Sequence, residues 1–466
     1  MRTQTQTQTE AIVLQASGTT DPVSEEPAVW QASTVDEYQV PKWLYPKILS
    51  AGVSFFVAGV NDGSLGSLIP YVIRSYGIDT NMVAVLYGVT FFGWFFAALS
   101  NSSICQHLDL GVILSIGAAL QILAHVLRTW LPPFPLYAFT FFFASLGQAY
   151  NDTHANTFVS SLKGAHRWLG FIHAMYMAGC LVGPFVATGV ASANAHSKWN
   201  LFYLFPLGIG AINMALVGLS FHDRMVFSLK KRGNSSPGQP VSESTSRTAL
   251  KEIKAILSTR GVWLVSLFFF FFLGATITAG GWMVEYLVKV RNGDINDMGY
   301  VPAGFYGGGF LGRLILAEPT HRLGERRMIF IYTILCVGLQ LVFWLVPNII
   351  TEAVAVSLLG FFSGPFFATG ISVGSKIVPP EIRSSAIGKH TSFYQPTTIG
   401  PKRPILNMLA FVFVLGQIGG SIFPAITGII AAQVGVKVLQ PMLVGLLSAA
   451  GISWLLLPKD AGLHRE

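Results

Sequence analysis

The sequence predicts an all-α, polytopic membrane protein with 12 transmembrane helices arranged as two pseudo-symmetric six-helix bundles. Three observations carry that prediction. First, 52% of the 466 residues are hydrophobic and only 11% are charged. Soluble chains reach a similar apolar share but carry about 25% charged residues, so this chain lacks the charges to cover a water-facing surface. Second, apolar stretches recur twelve times, six on each side of the polar segment 222–260, each close to the roughly 20 residues a spanning helix needs. Third, the basic residues are one-sided. With both termini and the alternate loops on the cytoplasmic side, 24 of the 30 Lys and Arg residues lie there. Only Arg74, Arg128, Lys198, Lys289, Arg291 and Lys437 fall on the other side, as the positive-inside rule requires.

Taken in order, residues 1–45 are polar, acidic and proline-punctuated, too poor in apolar surface to offset their ordering entropy, and read as a disordered cytoplasmic tail. They contain no charged-then-apolar leader with a small-residue cleavage site, so the first span is expected to act as an uncleaved signal-anchor. Spans are expected near 47–74, 82–105, 110–131, 135–160, 168–192 and 200–221, forming an N-terminal bundle over 46–221. The loop 222–260 holds eight basic residues and the run TALKEIKAILSTR, where Leu250, Ile253 and Leu257 share one face of a short interfacial helix. A C-terminal bundle over 261–458 follows, with spans near 262–288, 300–318, 327–347, 352–375 and 438–457 and a disturbed one within 383–433. Residues 459–466 form a cytoplasmic tail.

The disturbance is residues 389–408, a run with three prolines and three Lys or Arg side chains where the eleventh span should begin. No helix is expected to run through it in lipid. Without it the second half is 177 residues against 175 for the first, and the flanks join as one apolar span. Two readings stand: a cytoplasmic loop insertion, or a retained intron, since Gly-Lys can be encoded by a sequence containing a splice donor.

Several function classes have no support. Three cysteines in apolar stretches exclude a disulfide scaffold. The net charge of +8 is explained by topology and anionic lipid, without nucleic acid. No phosphate-binding loop of the ATPase type and no paired histidines occur, so neither ATP-driven pumping nor a metal centre is expected. The chain is not expected to be an enzyme or to need a cofactor.

Ionisable residues inside lipid spans are rare and functional by default. Asp62 lies mid-span among Gly59, Gly63 and Gly66; Asp152 shares an i, i+4, i+8 face with Gln148 and Asn156. Burial favours the protonated form of a carboxyl, which suits it to pick up a proton on one side and release it on the other. The plainer role for each is as a structural partner of a neighbouring helix. Gly274 breaks the seventh span at the depth where Gly59 falls in the first, beside Thr276, Thr278 and Trp282. Paired glycine-interrupted spans point to a midplane binding site. Asn61, His173, Tyr176 and Gln417 complete the expected substrate contacts. Glu285 reads as rim or gate, and Gly304, Gly308 and Gly312 as a helix-packing stripe.

Six plus six spans with a basic central loop resemble the major facilitator superfamily. Its loop motif appears as Gly312-Arg313 followed by His321-Arg322-Leu323-Gly324-Glu325-Arg326-Arg327, with a degenerate first-half copy, Leu108-Asp109-Leu110-Gly111. The resemblance implies that Gly312, Arg313, Arg322, Gly324, Arg326 and Arg327 serve gating, the basic groups capping helix C-termini and binding facing carboxylates. Within the superfamily, Asn61-Asp62 and Asp152-Thr153-x-Ala155-Asn156-Thr157-Phe158 resemble the first- and fourth-helix motifs of the fucose-permease branch and its fungal relatives. That implies Asp62 and Asp152 as the substrate-linked and proton-linked carboxylates, while His173 stands where that branch has a sugar-binding Gln. In span five, Gly170, Gly179 and Gly183-Pro184 resemble an antiporter motif, which favours export.

The expected function is secondary active transport of a small polar, sugar-like molecule coupled to protons by alternating access. Two alternatives remain open: a proton-driven exporter of a specialised metabolite, and a non-transporting membrane sensor. The expected partners are substrate, protons and membrane lipid, with the chain a monomer in the plasma membrane.

Overall fold

The computed structural model describes residues 41–162, 165–193, 197–225, 258–377 and 403–458, and every regular element among them is a helix. The first half comprises α1 (Tyr45–Tyr76), α2 (Thr80–His107), α3 (Leu110–Thr129), α4 (Phe134–Ser160), α5 (Ala165–Ser192) and α6 (Leu204–Ser220). The second comprises α7 (Arg260–Val290), the single turn α8 (Ile295–Met298), α9 (Val301–Ile315), α10 (Ala317–Leu323), α11 (Glu325–Leu345), α12 (Ile349–Ser363), α13 (Phe366–Ile377), α14 (Arg403–Val434) and α15 (Leu439–Leu455). The eighth span is thus α9 followed by α10. The tenth is α12 followed by α13, restarting at Gly364-Pro365 because proline has no N–H for a continuous ladder.

Ten helices among the described residues are long and apolar enough to cross a membrane on length and composition alone. Helix α4 is absent from that set. Its run from Gln148 to Thr157 is dominated by amide, hydroxyl, imidazole and carboxyl side chains, which lower its mean hydropathy.

Turn chemistry sets the boundaries. Gly77 ends α1 at φ 61° and Asp79 accepts a hydrogen bond from the Met82 amide (2.9 Å) to start α2. Asn348 caps α12 in the same way, accepting from the Thr351 amide (3.0 Å). Lys47, buried at the start of α1, donates to both carboxylate oxygens of Asp223 (2.8 and 2.6 Å), fastening the chain beyond α6 to α1. That hydrogen bond holds the Asp223 carboxyl below the usual carboxylate range. A depressed folded-state pKa gives a contribution that is present above the ordinary carboxylate pKa and lost as pH falls through the folded value. The melting-temperature difference between wild type and Asp223→Asn is therefore expected near neutral pH and should shrink toward zero in acid.

The helices pair with a repeat. Helix α1 packs on α5 as α7 packs on α14, and α2 on α4 as α9 packs on α12. Likewise α3 pairs with α6 as α11 pairs with α15. Between the halves, α2 meets α14 and α5 meets α9, again a matched pair, while α1 meets α7 on the pseudo-axis. Glycines make these approaches possible. A Cβ on Gly59 would sit 2.0 Å from the Tyr176 carbonyl oxygen of α5, and one on Gly66 would sit 1.9 Å from the Gly280 carbonyl oxygen of α7.

Three expectations change. Residues 41–45 are not tail: the helical turn Lys42–Leu44 runs straight into α1. The last six residues of the atypical run, 403–408, are helical and open α14, with Pro404 in the first turn, where a missing N–H costs nothing. Arg128, counted among the basic residues of the non-cytoplasmic side, is 1% exposed inside the first half. The interfacial helix around Leu250, Ile253 and Leu257, the tails 1–40 and 459–466, and residues 389–402 lie outside the described residues.

Candidate substrate and proton site

A cavity of about 180 Å³ lies between the halves. Its first-half wall is polar: Asn61 and Asp62 from α1, Gln148, Asp152 and Asn156 from α4, and His173 and Tyr176 from α5. Its second-half wall brings the rings of Phe272, Phe305, Tyr306, Phe367 and Phe413, joined by Thr276, Arg313 and Gln417.

Asp62 is the centre of the polar wall. Its Oδ2 accepts hydrogen bonds from the Gln148 amide (2.8 Å) and the Tyr176 hydroxyl (3.0 Å), and its Oδ1 accepts from the Asn61 amide (3.1 Å). Three donors from α1, α4 and α5 thus converge on one carboxyl. Asp152, one helical turn beyond Gln148, is 7% exposed and lines the same cavity. Its Oδ1 has no partner among the described residues. The Gln148 amide thus engages Asp62, and the second carboxyl of the wall follows it by one turn on α4.

Sequence reading missed the cation behind this wall. Arg128 donates from Nη1 to Asn61 Oδ1 (3.1 Å) and from Nε to Thr140 Oγ1 (2.7 Å), with its guanidinium 3.9 Å from the centroid of Phe141. Asn61 thereby links Arg128 to Asp62. The signal was available: Gln121, His125 and Arg128 fall at i, i+4, i+7 on α3, and all three are buried.

The structure brings together nine of the eleven predicted proton and substrate residues. Thr278 and Trp282 are the exceptions, both fully buried and outside the cavity wall. The Trp282 indole donates to the Pro424 carbonyl (2.9 Å) and ties α7 to α14. His173 is in the wall, its ring between Phe55 (5.3 Å) and Phe367 (5.0 Å). Glu285 is buried, 3% exposed, and not at a rim.

The gating set divides. Gly312 packs on α12, where a Cβ would meet the Phe361 carbonyl oxygen at 1.9 Å. Arg313 is a cavity residue, not a loop residue, donating from Nη1 to the His173 carbonyl of the other half (3.1 Å). Gly324 makes the turn before α11 at φ 100°. Arg326 donates to the Leu455, Leu457 and Pro458 carbonyls, capping the end of α15. Arg322 pairs with Glu318 (2.5 Å) on the surface, and Arg327 is exposed near the start of α11.

At the end of the molecule where α1 finishes, the halves are fastened to each other. Ser67 donates to the Gly299 carbonyl (2.8 Å), Tyr71 to Asn296 (3.2 Å) and Thr80 to the Gly428 carbonyl (3.0 Å), beside the Gly66–Gly280 crossing. This end is shut.

Comparisons with known proteins agree with this architecture. The chain is 26% identical over 472 residues to Bypass of stop codon protein 6 of Saccharomyces cerevisiae, covering 94% of this chain and 88% of that one. Its fold is similar to a bacterial homologue of the human lysosomal transporter Spinster, solved inward-facing and unoccupied, with TM-score 0.64, 11% identity, and 90% and 98% of the two chains covered. It is also similar to a structure of the Escherichia coli fucose:proton symporter FucP, with TM-score 0.59, 16% identity, and 90% and 100% covered. The family model described as Major Facilitator Superfamily matches residues 51–401. With that match over most of its length, the chain belongs to the Major Facilitator Superfamily of multi-pass membrane transporters.

Proposed function

We propose that this transporter couples protons to the movement of a small polar organic molecule by alternating access, with Asp62 and Asp152 as the proton-linked pair. The observation that carries the reading is two carboxyls, Asp62 and Asp152, in the wall of one cavity between the halves, with the Gln148 amide donating to Asp62 one helical turn before Asp152. Proton loss from the pair leaves two like charges in that wall. The pair then draws on Arg128 through Asn61 or on a donor group of the substrate, so proton and substrate occupancy are linked. Asn61, Asn156, Tyr176, Thr276 and Gln417 offer the hydrogen bonds a hydroxylated, sugar-like molecule needs, and the aromatic wall offers its apolar face a surface.

In this reading the two six-helix halves rock about the α1–α7 contact, both termini face the cytoplasm, and the protein works as a monomer in the plasma membrane. The span-five glycines that favoured export have a packing role: a Cβ on Gly179 or Gly183 would meet carbonyl oxygens of α1 at 2.2 and 2.7 Å. The sensor alternative needed an interrupted eleventh span, whereas α14 is continuous from Arg403 to Val434.

The test is substrate-dependent proton flux in proteoliposomes under an imposed pH gradient. Asp62→Asn and Asp152→Asn are each expected to lower coupled flux at least tenfold while substrate exchange at equal pH persists. Coupled flux that survives both substitutions sinks the carboxylate mechanism.

A further inference from the structure

We infer that the transported molecule carries a carboxylate, which docks on Arg313, and that one such anion moves with one proton. This rests on the coupling role proposed for Asp62 and Asp152 and names the class of substrate they serve.

Asp62, Asp152 and Arg313 are the acidic and basic side chains in the cavity wall. Arg128 is matched by Asp62 through the shared Asn61 amide. Arg313 has no such match: no carboxylate lies within ion-pair distance of it among the described residues. Its Nη1 donates to a backbone carbonyl of the other half, at His173, and its buried Nε–H has no acceptor. Phe367 lies 6.0 Å from the guanidinium, and the His173 ring packs on Phe367. A guanidinium removed from water without a counter-charge is costly. One that lines a cavity offers its remaining N–H donor capacity to an anionic oxygen acceptor there.

The opposite wall offers a neutral or acidic surface, so the ligand is polarised. Its carboxylate meets Arg313, its hydroxyl or amide groups meet Gln148, Asp152 and Asn156, and its body lies among Phe305, Phe367 and Phe413. The charge tally then closes. With Asp62 ionised against Arg128 and Asp152 holding the coupling proton, the cavity carries one excess positive charge, from Arg313. A monoanion cancels it, and the loaded carrier reorients without moving net charge through the low-dielectric core.

The experiment uses full-length purified protein and matched pairs of probes that differ in the carboxylate. These are galacturonate against galactose, glucuronate against glucose, and 4-hydroxyphenylacetate against 4-hydroxyphenylacetamide. Binding is read from tryptophan fluorescence, since Trp94 lines the cavity. In at least one pair the acid is expected to bind tenfold or more tightly than its neutral partner. Arg313→Gln should bring that ratio to within twofold, and Arg313→Lys should retain part of it, which separates lost charge from lost fold. The preferred acid should then enter proteoliposomes with protons at a rate unaffected by a valinomycin-clamped potential. No acid preference in any pair, or a preference that survives Arg313→Gln, overturns the inference. An Arg313-dependent preference with no proton movement supports the anion site and overturns the coupling mechanism instead.

Discussion

Gly66→Val is expected to abolish net transport, reducing it more than a hundredfold, with the protein still folded and inserted. A Cβ at position 66 would lie 1.9 Å from the Gly280 carbonyl oxygen, 2.9 Å from its carbon and 3.2 Å from the Gly281 Cα. All three are backbone atoms of α7 in the opposite half, so no side chain can swing away to make room. The only relief is separation of α1 from α7. That would also break the neighbouring contacts from Ser67 to Gly299 and from Tyr71 to Asn296. The variant should be held open at the end where α1 finishes and unable to shut it. Two measurements check this. Substrate counterflow in proteoliposomes should fall to background, and a cysteine introduced at Thr90 in the cavity wall should gain reactivity toward an impermeant maleimide from that side. Wild-type counterflow in Gly66→Val would mean that the α1–α7 crossing does not close during transport.

The second large effect concerns stability. Arg291, just past the end of α7, forms an ion pair with Glu352 of α12, whose side chain is fully buried. The same guanidinium donates to the Trp344 carbonyl (2.7 Å) near the end of α11, so one side chain joins three helices. Removing one member of a buried pair leaves an uncompensated charge and typically costs about 3–5 kcal/mol, whereas replacing both by apolar groups is often near neutral. Glu352→Ala is therefore expected to destabilise the detergent-solubilised protein by about 3–5 kcal/mol, and the double substitution Arg291→Leu with Glu352→Leu should recover most of that. Single substitutions costing under about 1 kcal/mol would show that the pair behaves as an exposed one.

The architecture was legible because lipid is a strict solvent. A backbone in hydrocarbon must satisfy its own hydrogen bonds, so apolar run length reads directly as helix. Helix ends at Gly77, Asp79 and Asn348 follow local rules equally visible in sequence. The tertiary use of polar side chains was harder to read. Asp62, Gln148 and Asp152 announce themselves because acids and amides are expensive in lipid. Thr278 and Trp282 carry polar atoms too, yet a helix can bury them against its neighbours, and only the rotation of α7 about its axis decides which face meets the cavity. Arg128 shows the reverse error. Its position near the end of a span put it among the basic residues of one membrane side, and the Gln121–His125–Arg128 stripe becomes meaningful only once α4 and α6 cover it. Arg313 was assigned to a loop motif by its neighbours in sequence, while the eighth span continues beyond it into α10 and leaves it facing the cavity.

The matched helix pairings have a consequence for the opposite state of the carrier. Each half makes its internal contacts in the same order, yet the halves meet tightly at one end of the molecule and enclose a cavity beyond it. Two near-copies of one unit related by an axis along the membrane normal present the same end to the same side of the bilayer. Exchanging their tilts would therefore return the state already seen, and the other end opens only if both halves rock together in opposite senses. The glycine crossings at α1–α5 and α7–α14, where a Cβ on Gly59 or Gly419 would sit 2.0 Å from a carbonyl oxygen, lie within each half and would travel with it unaltered.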